Sequence, residues 1–307
     1  MLFMKKQRVI MVREVILGDN PFIGVSHLAQ EKARDEKADL SAMDMKINVI
    51  KAAMEGGATG FTFSTHQLNF ELLQYMKKNC IDMLEKLNYY ILVPYAQGYV
   101  RQANALGTVG LTKFVLRNII SENPVDFLGS AMRMSVDRIA SLFMAVEMKP
   151  YLRILPKERV KAVLLHEVLT ELIMAYNLVD LLKELKRYAE TRLGTGFGLE
   201  TRNAGQLRQF LDENDMHVEH VMTPMNPLGY QMAPSKEDAE KAIEDLADRG
   251  TKIIAINVLA SGAIPPENAC EYLRKFKDKI YGVAYGTSKP SRARDNAAML
   301  RCYLSTE

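Results

Sequence analysis

The chain has no tryptophan, only three cysteines and no long apolar run. Cys80, Cys270 and Cys302 are far apart, which leaves neither a zinc-binding spacing nor a disulfide framework and points to a reducing, cytoplasmic setting. The N-terminal stretch "MLFMKKQRVIMVREVILGDNPF" lacks the apolar core of roughly 7–15 residues and the small-residue cleavage site of a signal peptide. No run reaches the roughly 18 apolar residues of a membrane span, so a membrane is not an expected partner. An excess of one charge is also missing. The 307 residues carry 40 basic and 37 acidic side chains, a net +3, where a dedicated nucleic-acid binder would be more strongly basic. Two phosphate signatures are absent as well. The segment "GDNPFIG" after the first apolar run is not a dinucleotide glycine fingerprint, and no GxxxxGK spacing occurs.

What is present is a repeat of short apolar runs. Eight read as strands: Val12–Leu17, Gly60–Phe63, Tyr90–Pro94, Val163–Leu165, Gly196–Leu199, Val218–Met222, Ile253–Val258 and Tyr281–Ala284. Most are continuous rather than alternating, the pattern of strands covered on both faces. Helix-like segments separate most of them. "SAMDMKINVIKAAMEGG" offers Ser41 as a cap and ends at a glycine pair, and "SKEDAEKAIEDLADRG" is bounded by Ser235 and Gly250. The helix-like segment "LTELIMAYNLVDLLKELKRYAETRLG" follows the fourth strand. Eight βα units close most economically as an α/β fold, a (β/α)8 TIM barrel forming a single domain over residues 1–307.

Two connections exceed the minimal repeat. The first, Asp19 to Leu40, is rich in charge and reads either as a lid over the barrel mouth or as an exposed loop. The second, residues 98–158 between strands 3 and 4, has apolar residues at helical spacing. It is expected to be a helical insertion, either completing the fold or providing a homo-oligomer interface. The 18 methionines show no ligand pattern and read as flexible core filler.

A barrel of this kind places its chemistry at the C-terminal ends of its strands, and phosphate sites favour the loops after strands 7 and 8. Those loops read "NVLASGAIPPENA" and "YGTSKPSRARDNA". Ser261, Gly262, Gly286, Thr287 and Ser288 can turn backbone N–H groups toward one anion, supported by a helix N-terminus. Lys289, Arg292 and Arg294 can add positive charge, and Asn226 in "TPMNPLG" joins this cofactor-binding set from strand 6. The expected partner is a small phosphorylated molecule or a nucleotide.

The other strand ends supply a polar ring. It includes Asp19 and Asn20, then Ser64, Thr65 and His66, then Tyr95 and Gln97, then His166 and Glu167, and finally Glu200 and Arg202. His166, Tyr95 and His66 are the candidate catalytic groups, with His166 and Tyr95 acting on a carbonyl or hydroxyl as acid or base. A second reading joins His66, His166 and Glu167 or Glu200 around a divalent metal, since two histidines and a carboxylate suffice for a catalytic site with an open position. Regular strand alternation would point the neighbours His166 and Glu167 in opposite directions, so that only irregular backbone would bring both to one ligand. No lysine ends strands 3 to 7, which argues against a Schiff-base mechanism. His217 and His220 belong to the opposite end of the barrel.

The segment "IIAINVLASGAIPPENACEYLRKFKDKIYGVAYGTSKPSRARDNA" resembles the strand 7 and 8 region of the aldo-keto reductase superfamily, with its glycine-rich loop and "GTSKP"-like turn that hold a nucleotide phosphate. The resemblance covers roughly residues 250 to 300. It implies a TIM barrel, an NADP or NAD cofactor and carbonyl reduction by an Asp, Tyr, Lys and His set. His166 matches the histidine of strand 4. The chain departs from the pattern at strand 2, where it reads "STHQLN" rather than Asp followed by Tyr, and at strand 3, where "VPYAQ" supplies Tyr95 and no lysine. A divergent oxidoreductase is the leading expectation. A metal-assisted lyase, isomerase or hydrolase acting on a sugar phosphate and a non-catalytic ligand-binding barrel are the alternatives.

Overall fold

The computed structural model describes residues 13–24, 42–94 and 136–305. β1 (Glu14–Gly18) leads into a one-turn helix, α1 (Asn20–Ile23). Then come α2 (Met43–Glu55), β2 (Gly60–Ser64), α3 (Gln67–Asn79), α4 (Ile81–Lys86) and β3 (Asn88–Val93). After α5 (Val136–Leu152) follow β4 (Val160–Leu165), α6 (Glu167–Ala175), α7 (Val179–Tyr188) and β5 (Gly196–Glu200). The chain continues through α8 (Ala204–Glu213), β6 (His220–Pro224), α9 (Lys236–Asp248) and β7 (Lys252–Ile256). It ends with α10 (Pro266–Arg274), β8 (Ile280–Tyr285) and α11 (Pro290–Ser305). Every strand pairs in parallel with its neighbours and β8 closes on β1, giving the (β/α)8 barrel.

The strand edges differ from the sequence expectation for identifiable reasons. β7 stops at Ile256 rather than Val258, because Asn257 adopts a left-handed φ of 52°. β3 starts two residues early, at Asn88, and ends before Pro94, which has no N–H for the ladder. The helix-like segment after β4 forms two helices, α6 and α7. The break falls at Asn177, whose φ of 50° cannot continue a right-handed helix. Ser41 lies outside the described residues, and α2 opens at Ala42 without a side-chain cap. Ser235 does cap α9, its Oγ accepting from the Asp238 N–H at 3.1 Å. That helix buries Ala239, Ala242, Ile243, Leu246 and Ala247, one face at helical spacing. Most of the 98–158 insertion and most of the Asp19–Leu40 excursion lie outside the described residues. Among the described residues no helix is long and apolar enough to cross a membrane.

The core has two layers. Outward-facing strand residues such as Val15, Leu17, Phe61, Phe63 and Val163 pack against the helices. Inward-facing Ile16, Tyr90, Ala162, Leu164, Met222, Ile254 and Ala284 fill the barrel. Gly198 is required by this filling. A Cβ there would meet Leu164 Cδ2 at 2.5 Å and the His220 carbonyl oxygen at 2.7 Å, both part of the packed interior.

Polar groups close the base of the barrel. Glu14 is 5% exposed, and both its oxygens are engaged, Oε2 by the Thr59 hydroxyl at 2.6 Å and Oε1 by the Asn88 amide at 2.7 Å. Lys252 pairs with Glu219 at 2.6 Å and lies over the Tyr281 ring. His220 is buried between the Tyr90 and Tyr281 rings, with centroids 6.0 and 5.9 Å away. Burial pulls its pKa down to about 4, so it packs as a neutral ring.

Candidate active site

At the opposite end the apolar filling stops and a cavity of about 940 Å³ opens. Pockets for small molecules and cofactors fall in the range of roughly 300–1,000 Å³. Ile256, Met222 and Leu92 are among its apolar lining, while Asp19, Thr62, His166, Glu167, Glu200 and Arg202 bring polar groups to it from β1, β2, β4 and β5.

Asp19 follows β1 and is 3% exposed. Its Oδ2 accepts three hydrogen bonds, from the Ser64 N–H at 3.1 Å, the Ser64 hydroxyl at 3.1 Å and the Asn69 amide at 2.6 Å. Its Oδ1 accepts none among the described residues. Burial outweighs those bonds and pushes the carboxyl up to about 6. Asp19 therefore straddles its two protonation states near neutral pH.

Glu200 ends β5, which stands opposite β1 in a ring of eight strands. Its Oε2 accepts the Glu167 backbone N–H at 3.1 Å, and its Oε1 accepts nothing among the described residues. Burial first, and the neighbouring Glu167 carboxylate second, push this carboxyl up to about 8. Its protonated form is favoured at neutral pH. Arg202 does not neutralise it, being held fork-to-fork by Glu167, with Nε–Oε2 at 2.5 Å and Nη2–Oε1 at 2.6 Å. Glu171 steadies the same corner by accepting from the Thr201 hydroxyl at 2.6 Å.

His166 sits just past β4 and caps α6, its Nδ1 accepting the Val168 N–H at 3.3 Å. That bond selects the neutral tautomer with hydrogen on Nε2, and burial favours it further by lowering the pKa below the ordinary 6.5. Because the strand ends at Leu165, the His166–Glu167 pair leaves regular alternation, and both residues line the cavity. Thr62 adds a hydroxyl that is buried in the cavity wall and has no partner among the described residues.

His66 takes a different place. It caps α3 through Nδ1, 3.0 Å from the Leu68 N–H, while its carbonyl accepts from the Tyr151 hydroxyl at 3.0 Å. It is not among the residues lining the cavity. The expected catalytic and metal roles of His66 find no support in this placement, because the chain turns into α3 at this point and the ring's Nδ1 is engaged at the helix end. Among the described residues no group of three His, Cys, Asp or Glu is gathered that could hold a metal ion, so His66, His166 and Glu200 do not form one. Tyr95 lies outside the described residues.

The opposite wall comes from the loops after β7 and β8. Ser261 and Gly262 line the cavity from a 3-10 turn in which Ala260, Ser261 and Gly262 have φ values of 42°, 58° and 90°. Consecutive left-handed residues of this kind form concave backbone suited to anions. Gly286, Thr287 and Arg292 also line the cavity, joined by Asn296 one turn further along α11. Arg292 makes no ion pair among the described residues. Ser288 is buried and Lys289 points to solvent, and neither reaches the cavity lining. Asn226 is fully buried, with its side chain donating to the Tyr230 carbonyl at 2.9 Å and accepting from the Tyr230 N–H at 2.8 Å. Both polar atoms of its side chain are thus used in closing the β6–α9 loop.

Asp19 and Glu200 are the groups that sequence reasoning undervalued as acids and bases. Asp19 was visible only as one member of a polar strand end, and Glu200 as such a member and as a candidate metal ligand. The signal available was position, a carboxylate directly after an apolar run.

Fold and site together define a TIM barrel with a polar, ligand-sized cavity at its C-terminal mouth. No protein-family model and no curated protein matches the sequence. Solved structures do resemble it. A candidate aldo-keto reductase of Pseudomonas aeruginosa shares 15% identity over 96% of this chain and 91% of its own, with a TM-score of 0.55. An aldo-keto reductase of Bacillus halodurans in its holo form shares 10% over 95% and 91%, with a TM-score of 0.54. The glycerol dehydrogenase of Gluconobacter oxydans shares 11% over 95% and 90%, with a TM-score of 0.52. At these identities the likeness is one of fold, and the barrel is the one that aldo-keto reductases use.

Proposed function

We propose that this protein is a divergent oxidoreductase that binds a nicotinamide nucleotide at the β7 and β8 loops and acts on a carbonyl or alcohol at the β4–β5 side of the mouth. The observation that carries the reading is one cavity with left-handed backbone and Arg292, which makes no ion pair among the described residues, on one wall and His166 on the other. The residues fit a nucleotide phosphate. Arg292 supplies charge, Ser261, Gly262, Gly286 and Thr287 supply close backbone approach, and Asn296 adds an amide. When bound, the nicotinamide supplies or accepts a hydride.

The chain's own contribution is orientation and proton handling. His166 is locked by its cap bond, so its Nε2–H has a fixed direction and can donate to a carbonyl oxygen at the mouth. Its lowered pKa keeps it a neutral donor. The apolar floor of Leu92, Met222 and Ile256 excludes water beneath the reacting centre and strengthens that hydrogen bond. His166 is the donor assigned to the step, and Tyr95, the other expected acid or base, lies outside the described residues.

The test is a titration of NADPH and NADH followed by nicotinamide fluorescence, which the absence of tryptophan favours. Saturable binding that weakens in Arg292→Ala supports the reading. No binding up to millimolar cofactor would overturn it.

A further inference from the structure

Reduction of a carbonyl moves one proton and needs one donor. This mouth holds more than that. Asp19, His166 and Glu200 are each pinned through one atom, respectively Oδ2, Nδ1 and Oε2. Each leaves the other atom of the same group unclaimed among the described residues, within the cavity wall. Glu14 at the base of the barrel, by contrast, has both carboxylate oxygens engaged. Asp19 and Glu200 also stand on opposite strands, β1 and β5, so a small molecule on the barrel axis lies between them.

We propose that Asp19 and Glu200 form an acid–base pair that shifts a carbonyl group along a short α-hydroxy aldehyde or ketone without any nicotinamide cofactor. The Asp19 carboxylate removes the proton from the hydroxyl-bearing carbon. The released electron pair forms the carbon–carbon double bond, and the carbonyl oxygen takes the Glu200 proton, giving an enediol. His166 Nε2–H donates to the same oxygen as charge gathers there. In the second half Glu200 takes the proton of the other hydroxyl, a new C=O forms, and Asp19 returns its proton to the neighbouring carbon. Both carboxyls end as they began, and no external oxidant or reductant is consumed.

The surroundings suit the two roles. Asp19 faces the hydroxyl and amide donors of Ser64 and Asn69, which favour its ionised form. Glu200 faces Glu167, which opposes ionisation, while Arg202 is engaged by Glu167. With Asp19 near 6 and Glu200 near 8, the required pairing of one base and one acid is populated between those values.

The experiment is solvent exchange. Dihydroxyacetone and erythrulose are incubated with the full chain in D2O without nicotinamide, and loss of the proton signal at the carbon beside the carbonyl is followed by NMR. The expected result is exchange at least tenfold above buffer, with a bell-shaped pH profile between about 6 and about 8. Glu200→Gln should slow it at least tenfold and Asp19→Asn should abolish it, in samples shown folded by circular dichroism. Should Asp19→Asn not fold, Glu200→Gln and the pH profile still decide. Exchange no faster than buffer, or equal in wild type and Glu200→Gln, would overturn the proposal. Nicotinamide binding without exchange overturns only this inference, and exchange without nicotinamide binding overturns only the oxidoreductase reading.

Discussion

The two ends of this barrel use the same residue types for different purposes. At the base, Glu14 has both carboxylate oxygens engaged, and Glu219 is paired with Lys252. His220 is held neutral between two tyrosine rings. At the mouth, Asp19, Glu200 and His166 each hold one atom fixed and leave one open, and a cavity lies in front of them. The difference teaches that burial alone does not mark a functional carboxylate. Incomplete satisfaction beside a cavity makes a carboxylate a candidate, because an unclaimed acceptor in a desolvated wall is stabilised when something binds it.

The comparison is most easily broken at the two strand-end histidines. His66 and His166 both cap the next helix through Nδ1, and only His166 lines the cavity. His166→Ala should lower turnover by about 100-fold or more, the scale of a lost proton donor. His66→Ala should leave turnover within about twofold. Each variant also loses a cap, at about 1 kcal/mol of stability. Equal activity losses in the two variants, in a steady-state assay, would remove the distinction.

The base is tested by Glu14→Ala. It leaves the Thr59 hydroxyl and the Asn88 amide without their acceptor and should cost about 2 kcal/mol in urea denaturation, with ligand binding at the mouth unchanged.

A third test uses pH. The folded chain holds the Glu200 proton more tightly than the unfolded chain, with a value of about 8 against an ordinary 4.5. The folded state therefore carries more protons across that interval, and its stability falls as pH rises through it. Asp19 acts in the same direction between 3.8 and about 6. Glu200→Gln should flatten the thermal stability profile between pH 6 and 8, where Asp19 no longer contributes. A profile as steep as that of the wild type would show that Glu200 ionises normally.

The smallest effects are expected on the wall of the β7 and β8 loops. Arg292→Ala should weaken an anionic nucleotide about tenfold, equivalent to about 1.4 kcal/mol. Lys289→Ala, outside the cavity lining, should change affinity by less than twofold in the same titration.

Much of the fold was legible because it depends on short-range pattern. Eight apolar runs separated by amphipathic segments mark strands covered on both faces, and each was found within about three residues of its true limits. The limits that moved did so at single backbone features, such as the left-handed Asn257 and Asn177. The loops after β7 and β8 were legible through Ser and Gly, and four of the residues expected there, with Arg292, line the cavity. Ser288, Lys289 and Asn226 carried the same signal and do not, since a turn residue and a ligand-facing residue have the same composition.

Sequence alone determined the barrel, and it marked the C-terminal mouth and His166 as candidates for its chemistry. Periodicity and turn residues are local properties that survive in one dimension. Only the tertiary structure decided which polar groups meet. Asp19 and Glu200 are 181 positions apart in the chain and are brought to opposite sides of one cavity by barrel closure. Their raised pKa values depend on burial and on Glu167, which α6 delivers. Whether a carboxylate oxygen is claimed or open is a matter of a few ångströms between distant segments, and a sequence does not record it.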